Sequence, residues 1–146
     1  MKLKLLLSFA LAWALVAPSS AQSVSPLGHY AKKRGGAGEM LVQNDKGTFR
    51  VFVSAGGTPN GGATAADCTL IAFGAIKGNV FQGDIKYRPE TPEDKPGPEN
   101  EVDVGHKMTI TFAPKSATLS DADIDQLCGA GAGVFGPYVK DRRRAQ

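Results

Sequence analysis

The sequence predicts an all-β fold: a small antiparallel barrel or sandwich of six to eight short strands, with one short helical turn and one disulfide. Three observations lead there. Apolar residues recur at every second position in several segments, turn-forming sequences separate those segments, and two cysteines, Cys68 and Cys128, stand 60 positions apart behind an export-type leader.

The leader decides how the cysteines are read. Met1-Lys2-Leu3-Lys4 is a short positive start, Leu5 to Val16 is almost wholly apolar, and Pro18-Ser19-Ser20-Ala21 supplies small residues before Gln22. This is the pattern of a signal peptide, residues 1–21, cleaved after Ala21. About a dozen apolar residues fall short of the roughly 20 that span a bilayer as a helix, and no second hydrophobic stretch follows. The expected location is periplasmic or secreted, with no transmembrane segment after cleavage.

What remains, residues 22–146, suits one domain. The whole chain carries 17 Lys+Arg against 14 Asp+Glu, a formal net charge of +3; without Lys2 and Lys4 the balance is 15 to 14, a net of +1. So small an excess gives no footing for a nucleic-acid partner. With 18 glycines, 9 prolines and 8% aromatic residues the chain has many turns and a modest core, which a covalent staple would help to hold. In an oxidising compartment two cysteines pair, and neither has a Cys-x-x-Cys partner or a histidine at metal-ligand spacing. Closing a loop of this length is worth roughly 4 kcal/mol in the chain-entropy model.

The elements follow in order. Gly28-His29-Tyr30-Ala31-Lys32 opens the ordered part, and Met40 to Gln43 and Thr48 to Ser54 form a strand pair across Asn44-Asp45-Lys46-Gly47. Phe49, Val51 and Val53 share one face of the second strand; Arg50 and Phe52 share the other. Ala55 to Ala63 lacks apolar periodicity and is a loop, with no lysine where a phosphate-binding loop needs one. Cys68 to Ile76 and Val80 to Arg88 form the clearest hairpin, turning at Lys77-Gly78-Asn79; strict alternation puts Phe81, Gly83, Ile85 and Tyr87 on one face. Lys107 to Phe112 is the next strand, with Met108, Ile110 and Phe112 inward, and Pro114-Lys115-Ser116 turns it into Ala117-Thr118-Leu119.

Ser120 to Leu127 is read as a single helical turn that delivers Cys128 to the core, with Ser120 and Asp123 approximating a capping box. Its Asp121, Asp123 and Asp125 have the opening spacing of a calcium loop, but Gln126 and Ala132 occupy positions that need Gly and Glu. Gly129, Gly131 and Gly133 have dinucleotide-motif spacing, yet too little chain follows for a crossover helix and a second parallel strand. They are expected to allow close approach beside the disulfide or a bend into a last strand, Val134 to Val139. There Gly136-Pro137-Tyr138-Val139-Lys140 repeats the Gly-x-Tyr-x-Lys of Gly28 to Lys32. The echo predicts that the first and last strands lie side by side and close the sheet on inward tyrosines, with Pro137 an awkward fit.

No catalytic or cofactor motif survives this reading. His29 and His106 have no sequence relation to a nucleophilic serine, and the carboxylates gather in turns and in a linker, so no enzyme activity, metal or cofactor is expected. That linker, residues 89–105, is proline-rich and acidic: Glu90, Glu93, Asp94, Glu99, Glu101 and Asp103 against Lys95 alone. It is expected either to be a solvated insertion or to contact a basic protein. In plan such a chain is similar to small bacterial envelope domains, lysozyme-inhibitor-type proteins among them, a likeness of architecture that carries no residues across. The expected function is non-enzymatic protein binding, as an inhibitor of, or immunity protein to, an envelope hydrolase. The alternatives are a structural envelope component or a carrier of a small apolar ligand, walled by Phe73, Phe81, Tyr87 and Phe112. The basic clusters at Lys32-Lys33-Arg34 and Arg142-Arg143-Arg144 lack the interleaved aromatics of a nucleic-acid site.

Overall fold

A computed structural model of the chain describes residues 24–33, 37–56, 67–88, 105–122, 125–128 and 132–142. The expected signal peptide and the expected linker carboxylates lie outside these residues. Eight strands follow one another as β1 (Gly28–Lys32), β2 (Ala37–Asp45), β3 (Thr48–Gly56), β4 (Asp67–Lys77), β5 (Val80–Tyr87), β6 (Lys107–Ala113), β7 (Ser116–Ala122) and β8 (Gly136–Lys140), with one helical turn, α1 (Asp125–Cys128). Each strand pairs antiparallel with the next, and β1 pairs with β8 to make a closed barrel. The sheet therefore has no free edge.

Period-two alternation fills the interior. Met40, Val42, Val51, Val53, Leu70, Ala72, Phe81, Ile85, Met108, Ile110, Phe112 and Leu119 point inward and are buried. The outer wall bears Glu39, Gln43, Arg50, Gln82, Asp84 and Lys107. The outer face also carries Phe52 and Ile71, a cross-strand pair that is buried yet stands outside the core cluster. No helix among the described residues is long and apolar enough to cross a membrane.

The turns at one end are tight. Lys46 and Gly47 have φ of 51° and 94°, the pair of positive values that a type I′ hairpin turn requires, and the Gly47 N–H donates to the Asn44 side chain at 2.8 Å. At the next turn only Gly78 is left-handed, with φ 62°. Asn79 ties that turn to β6, its side-chain amide donating to the Phe112 carbonyl at 3.1 Å while its own carbonyl accepts the Phe112 N–H at 2.7 Å.

Two bulges depart from strict alternation. Ile71 pairs with Tyr87 while Ala72 pairs with Ile85, so Lys86 is an extra residue on β5. It turns Tyr87 onto the outer face, where its ring meets the edge of Phe73 with centroids 6.2 Å apart. Phe73 is outward because its neighbours Leu70 and Ala72 are inward. Of the four expected ligand-wall residues, Phe73 and Tyr87 are thus on the outside and only Phe81 and Phe112 are inside. The second bulge, Ser120, separates the pairs Ile110 with Leu119 and Thr109 with Asp121. It carries β7 on to Ala122, so the helical turn begins at Asp125 and Ser120 caps nothing, contrary to expectation. Asp121 lies on the strand and Asp125 opens the turn, which divides the aspartate run. The last strand likewise begins at Gly136, not Val134, because Ala132 and Val134 are buried beneath the barrel mouth before it.

The closing seam follows the Gly-x-Tyr-x-Lys echo closely. Tyr30 pairs with Lys140 and Tyr138 with Lys32. Both tyrosines are inward, 1% and 0% exposed, and each hydroxyl donates at 2.7 Å to a carbonyl four residues back, of Pro26 and Val134. Each lysine stem crosses the opposite tyrosine, with Nζ 5.5 Å (Lys140 over Tyr30) and 5.7 Å (Lys32 over Tyr138) from the ring centroid. The ammonium of Lys140 then donates to the Ser25 carbonyl at 2.7 Å, and that of Lys32 to the Gly133 carbonyl. Ser25 to Lys32 and Gly133 to Lys140 are thus equivalent segments related by an approximate twofold axis through the seam. Each lays a short plug across one barrel mouth before entering the sheet. Left-handed Gly28 and Gly136, with φ of 120° and 107°, make the two bends.

Pro137 fits because of where β1 stops. The Lys140 N–H faces β7 and the Asp141 N–H faces His29 on β1, so odd-numbered residues of β8 direct N–H toward β1. The missing donor of Pro137 would point past Lys32, where β1 has ended. Cys68, at the start of β4, is joined to Cys128 at the end of α1 with Cα atoms 5.0 Å apart. The bond pins α1 over the mouth that Ala132 and Val134 plug.

Two outcomes follow. Replacing both cysteines by serine lowers stability by up to about 4 kcal/mol and the melting temperature by up to roughly 15 °C, read by thermal circular dichroism, with the strand spectrum retained below the transition. Burial pushes the Tyr30 hydroxyl up to about 12 and that of Tyr138 higher still. Both folded-state values exceed the unfolded one, so their contribution is complete below about pH 10 and is lost as pH rises through the folded values. Denaturant midpoints should fall steeply above pH 10; in the Tyr30→Phe, Tyr138→Phe variant the fall is shallower, after a loss of about 1 kcal/mol per hydrogen bond at pH 7.

Candidate functional site

The two ends of the barrel differ. One carries the turns at residues 46–47, 78–79 and 114–115; the other carries every longer connection, at 33–36, 57–66, 88–106 and 123–135. The acidic linker leaves from Tyr87 and returns through His106, whose carbonyl accepts the Ile85 N–H at 2.9 Å. The disulfide anchors β4 and α1 at the same end. Loops on a rigid frame are where binding residues collect, so this end and the adjoining wall of β4, β5 and β6 form the candidate surface.

On that wall, Gly74 of β4 lies opposite Gly83 of β5. A Cβ at Gly74 would stand 2.1 Å from the Gln82 carbonyl oxygen, and one at Gly83 would stand 2.4 Å from the Phe81 ring and 2.6 Å from the Phe73 carbonyl oxygen. The two strands approach here more closely than side chains permit, and both missing side chains would point into the barrel, where the Phe81 ring fills the space. On the outer face a groove of about 340 Å³ lies over this pair, lined by Phe73 on one side and by Gln82, Asp84, Lys107 and Thr109 on the other. Lys107 donates to the Asp84 carboxylate at 3.0 Å in an exposed ion pair. That hydrogen bond and the Lys107 charge hold the Asp84 carboxyl below its usual range, and Lys86 adds to the effect.

A second groove, about 290 Å³, follows the outside of the seam over Ala31 and Val139. Lys33 and Arg142 line it, together with Asp141, so one residue from each predicted basic cluster reaches it; Arg34, Arg143 and Arg144 lie outside the described residues. Lys32 takes no part, being turned inward. Burial lowers the Lys32 ammonium below its ordinary value; Lys140 is lowered first by burial and then by Arg142.

Of the predicted site residues, Cys68 and Cys128 are joined as expected. Glu90, Glu93, Asp94, Glu99, Glu101 and Asp103 lie outside the described residues, between ends that the structure fixes at Arg88 and Gly105. His29 and His106 stand at opposite ends of the barrel, on β1's first turn of chain and at the foot of β6. Among the described residues no three of His, Cys, Asp and Glu come together as a metal would need. The outer wall was missed at the sequence level, although one sign of it was present: Gly74 and Gly83 are equally distant from the Gly78-Asn79 turn, so hairpin register alone sets them opposite.

Gly74→Ala should cost about 3 kcal/mol or more, because backbone faces the new methyl, whereas Gly47→Ala, strained only by its positive φ, should cost about 1 kcal/mol; paired urea melts measure the difference. Comparison with protein families, with curated proteins and with solved structures finds no match for this chain, so its function is argued from the geometry of this surface.

Proposed function

We propose that this chain is a non-enzymatic protein-binding domain of the periplasmic or secreted space, acting as an inhibitor of, or immunity protein to, a basic envelope hydrolase. The observation that carries the reading is the asymmetry of the barrel: one end is closed by tight turns and the other gathers the long connections above a half-exposed aromatic pair, Phe73 and Tyr87. Half-buried aromatics beside connecting loops are the usual anchors of protein interfaces. The acidic linker springs directly from Tyr87 and would steer a cationic partner toward them. The filled interior supports binding on the outside over carriage of a small ligand within. The disulfide is compatible with an oxidising compartment.

Immobilised protein exposed to envelope extract should retain a basic hydrolase at low salt and release it by about 0.5 M salt, since long-range attraction is then screened. Neutralising Glu90, Glu93 and Asp94 should weaken that retention about tenfold or more, and Tyr87→Ala should weaken it independently of salt. Retention unchanged by the three neutralisations removes the linker from the interface, and failure to inhibit the retained enzyme ends the inhibitor reading.

A further inference from the structure

We propose that the groove between β4, β5 and β6 is a binding site for a neutral saccharide, a function different from the protein contact at the loops although both surfaces include Phe73. Three features meet there. The floor is the backbone of Gly74, Gly83 and Met108, whose side-chain positions all face into the barrel, so nothing rises from it between Phe73 and the polar side chains opposite. Phe73 stands at one side, outward and half-buried, held by the edge contact with Tyr87 at 6.2 Å. Its face carries negative quadrupole charge, to which the polarised C–H bonds on one face of a pyranose are attracted. At the other side Gln82 and Thr109 offer both donors and acceptors, and Asp84 with Lys107 adds a carboxylate and an ammonium.

The charge arrangement selects the ligand class. Asp84 and Lys107 already neutralise each other at 3.0 Å. An anion would have to displace Asp84 from Lys107, and a cation would meet both Lys107 and the nearby Lys86. A ligand with many hydroxyls and no charge needs neither: it donates to the carboxylate and accepts from the ammonium while the pair stays intact. At about 340 Å³ the groove is at the small end of ligand sites. It is open to solvent along its length and accommodates one or two rings of a chain that continues past it. Strand faces bind oligosaccharides in this way in other small barrels. The site sits on three hydrogen-bonded strands, so its shape is fixed before the ligand arrives.

The test is an amide NMR titration of the oxidised protein with chitotriose and with cellotriose, each to about 10 mM, in the range of weak single-site affinity. One trisaccharide or both should shift Gly74, Gln82, Gly83, Asp84 and Thr109 along a common binding curve. Phe73→Ala should weaken binding about tenfold. Gln82→Ala and Thr109→Ala, both on the outer wall and away from the core, should each weaken it several-fold, which keeps the test decisive if Phe73→Ala does not fold. Absence of shifts with both sugars overturns the proposal. So do shifts unaffected by all three substitutions, and so does a response of the same amides to arginine hydrochloride or sodium acetate in place of the sugars, which would make the groove a contact for charged side chains of a protein.

Discussion

The pairing of β1 with β8 is the contact on which the barrel depends. Every other strand pair joins neighbours in the chain; this one joins residues near opposite ends of the described sequence, Tyr30 with Lys140 and Lys32 with Tyr138. Without it the sheet would curl with two open edges and two uncovered mouths. The same four side chains deal with both problems. The tyrosines fill the interior and tie down the plug segments through their hydroxyls, while the lysines brace the rings and reach the plug carbonyls beyond. An inward lysine is normally costly, but here the stem is buried and the ammonium emerges at a mouth, where it is hydrogen-bonded.

With its interior lined by a cluster of buried side chains, the barrel offers a partner its outer surface. The tight-turn end offers little relief, and the seam groove is shallow and of mixed charge. The opposite end concentrates the variable-length connections, the disulfide and the aromatic pair, and the glycine notch lies on the wall below. The two proposed surfaces share Phe73 and extend from it in different directions, one toward the loop end and the other toward β6, so a protein and a sugar would compete for that ring.

Much of the architecture was legible in the sequence because several local signals agreed. Alternation in Met40 to Ser54, in Cys68 to Ile85 and in Lys107 to Phe112 named the strands and most inward residues; the turns at Lys46-Gly47 and Gly78-Asn79 fixed their registers. Even barrel closure could be read, since two segments that repeat Gly-x-Tyr-x-Lys have the same geometry to satisfy. What escaped was wherever one extra residue changed the phase. Lys86 and Ser120 have no glycine or other mark of a bulge; the first moves Tyr87 outward, and the second prolongs β7 into what resembled a helix start. The candidate surface was less legible still. Attention to charge picked out the linker, whereas the groove arises from strand register, which sets Asp84 beside Lys107 across a gap of many residues in sequence.

The seam also bears on the time before it exists. Until β8 arrives, β1 is an exposed edge, and β8 remains one until it docks; such edges recruit other chains and aggregate. Lys32 and Lys140 place a charge on the face that an intruding strand would bury, and Pro137 denies it a backbone donor. Side chains that brace the finished barrel therefore act beforehand as guards, making the only acceptable neighbour of each terminal strand the other one, whose tyrosine can receive the lysine. Closure and resistance to misassembly come from the same residues, so a variant that trades these lysines for apolar side chains would gain core surface and lose the safeguard that lets a slow, long-range pairing finish cleanly.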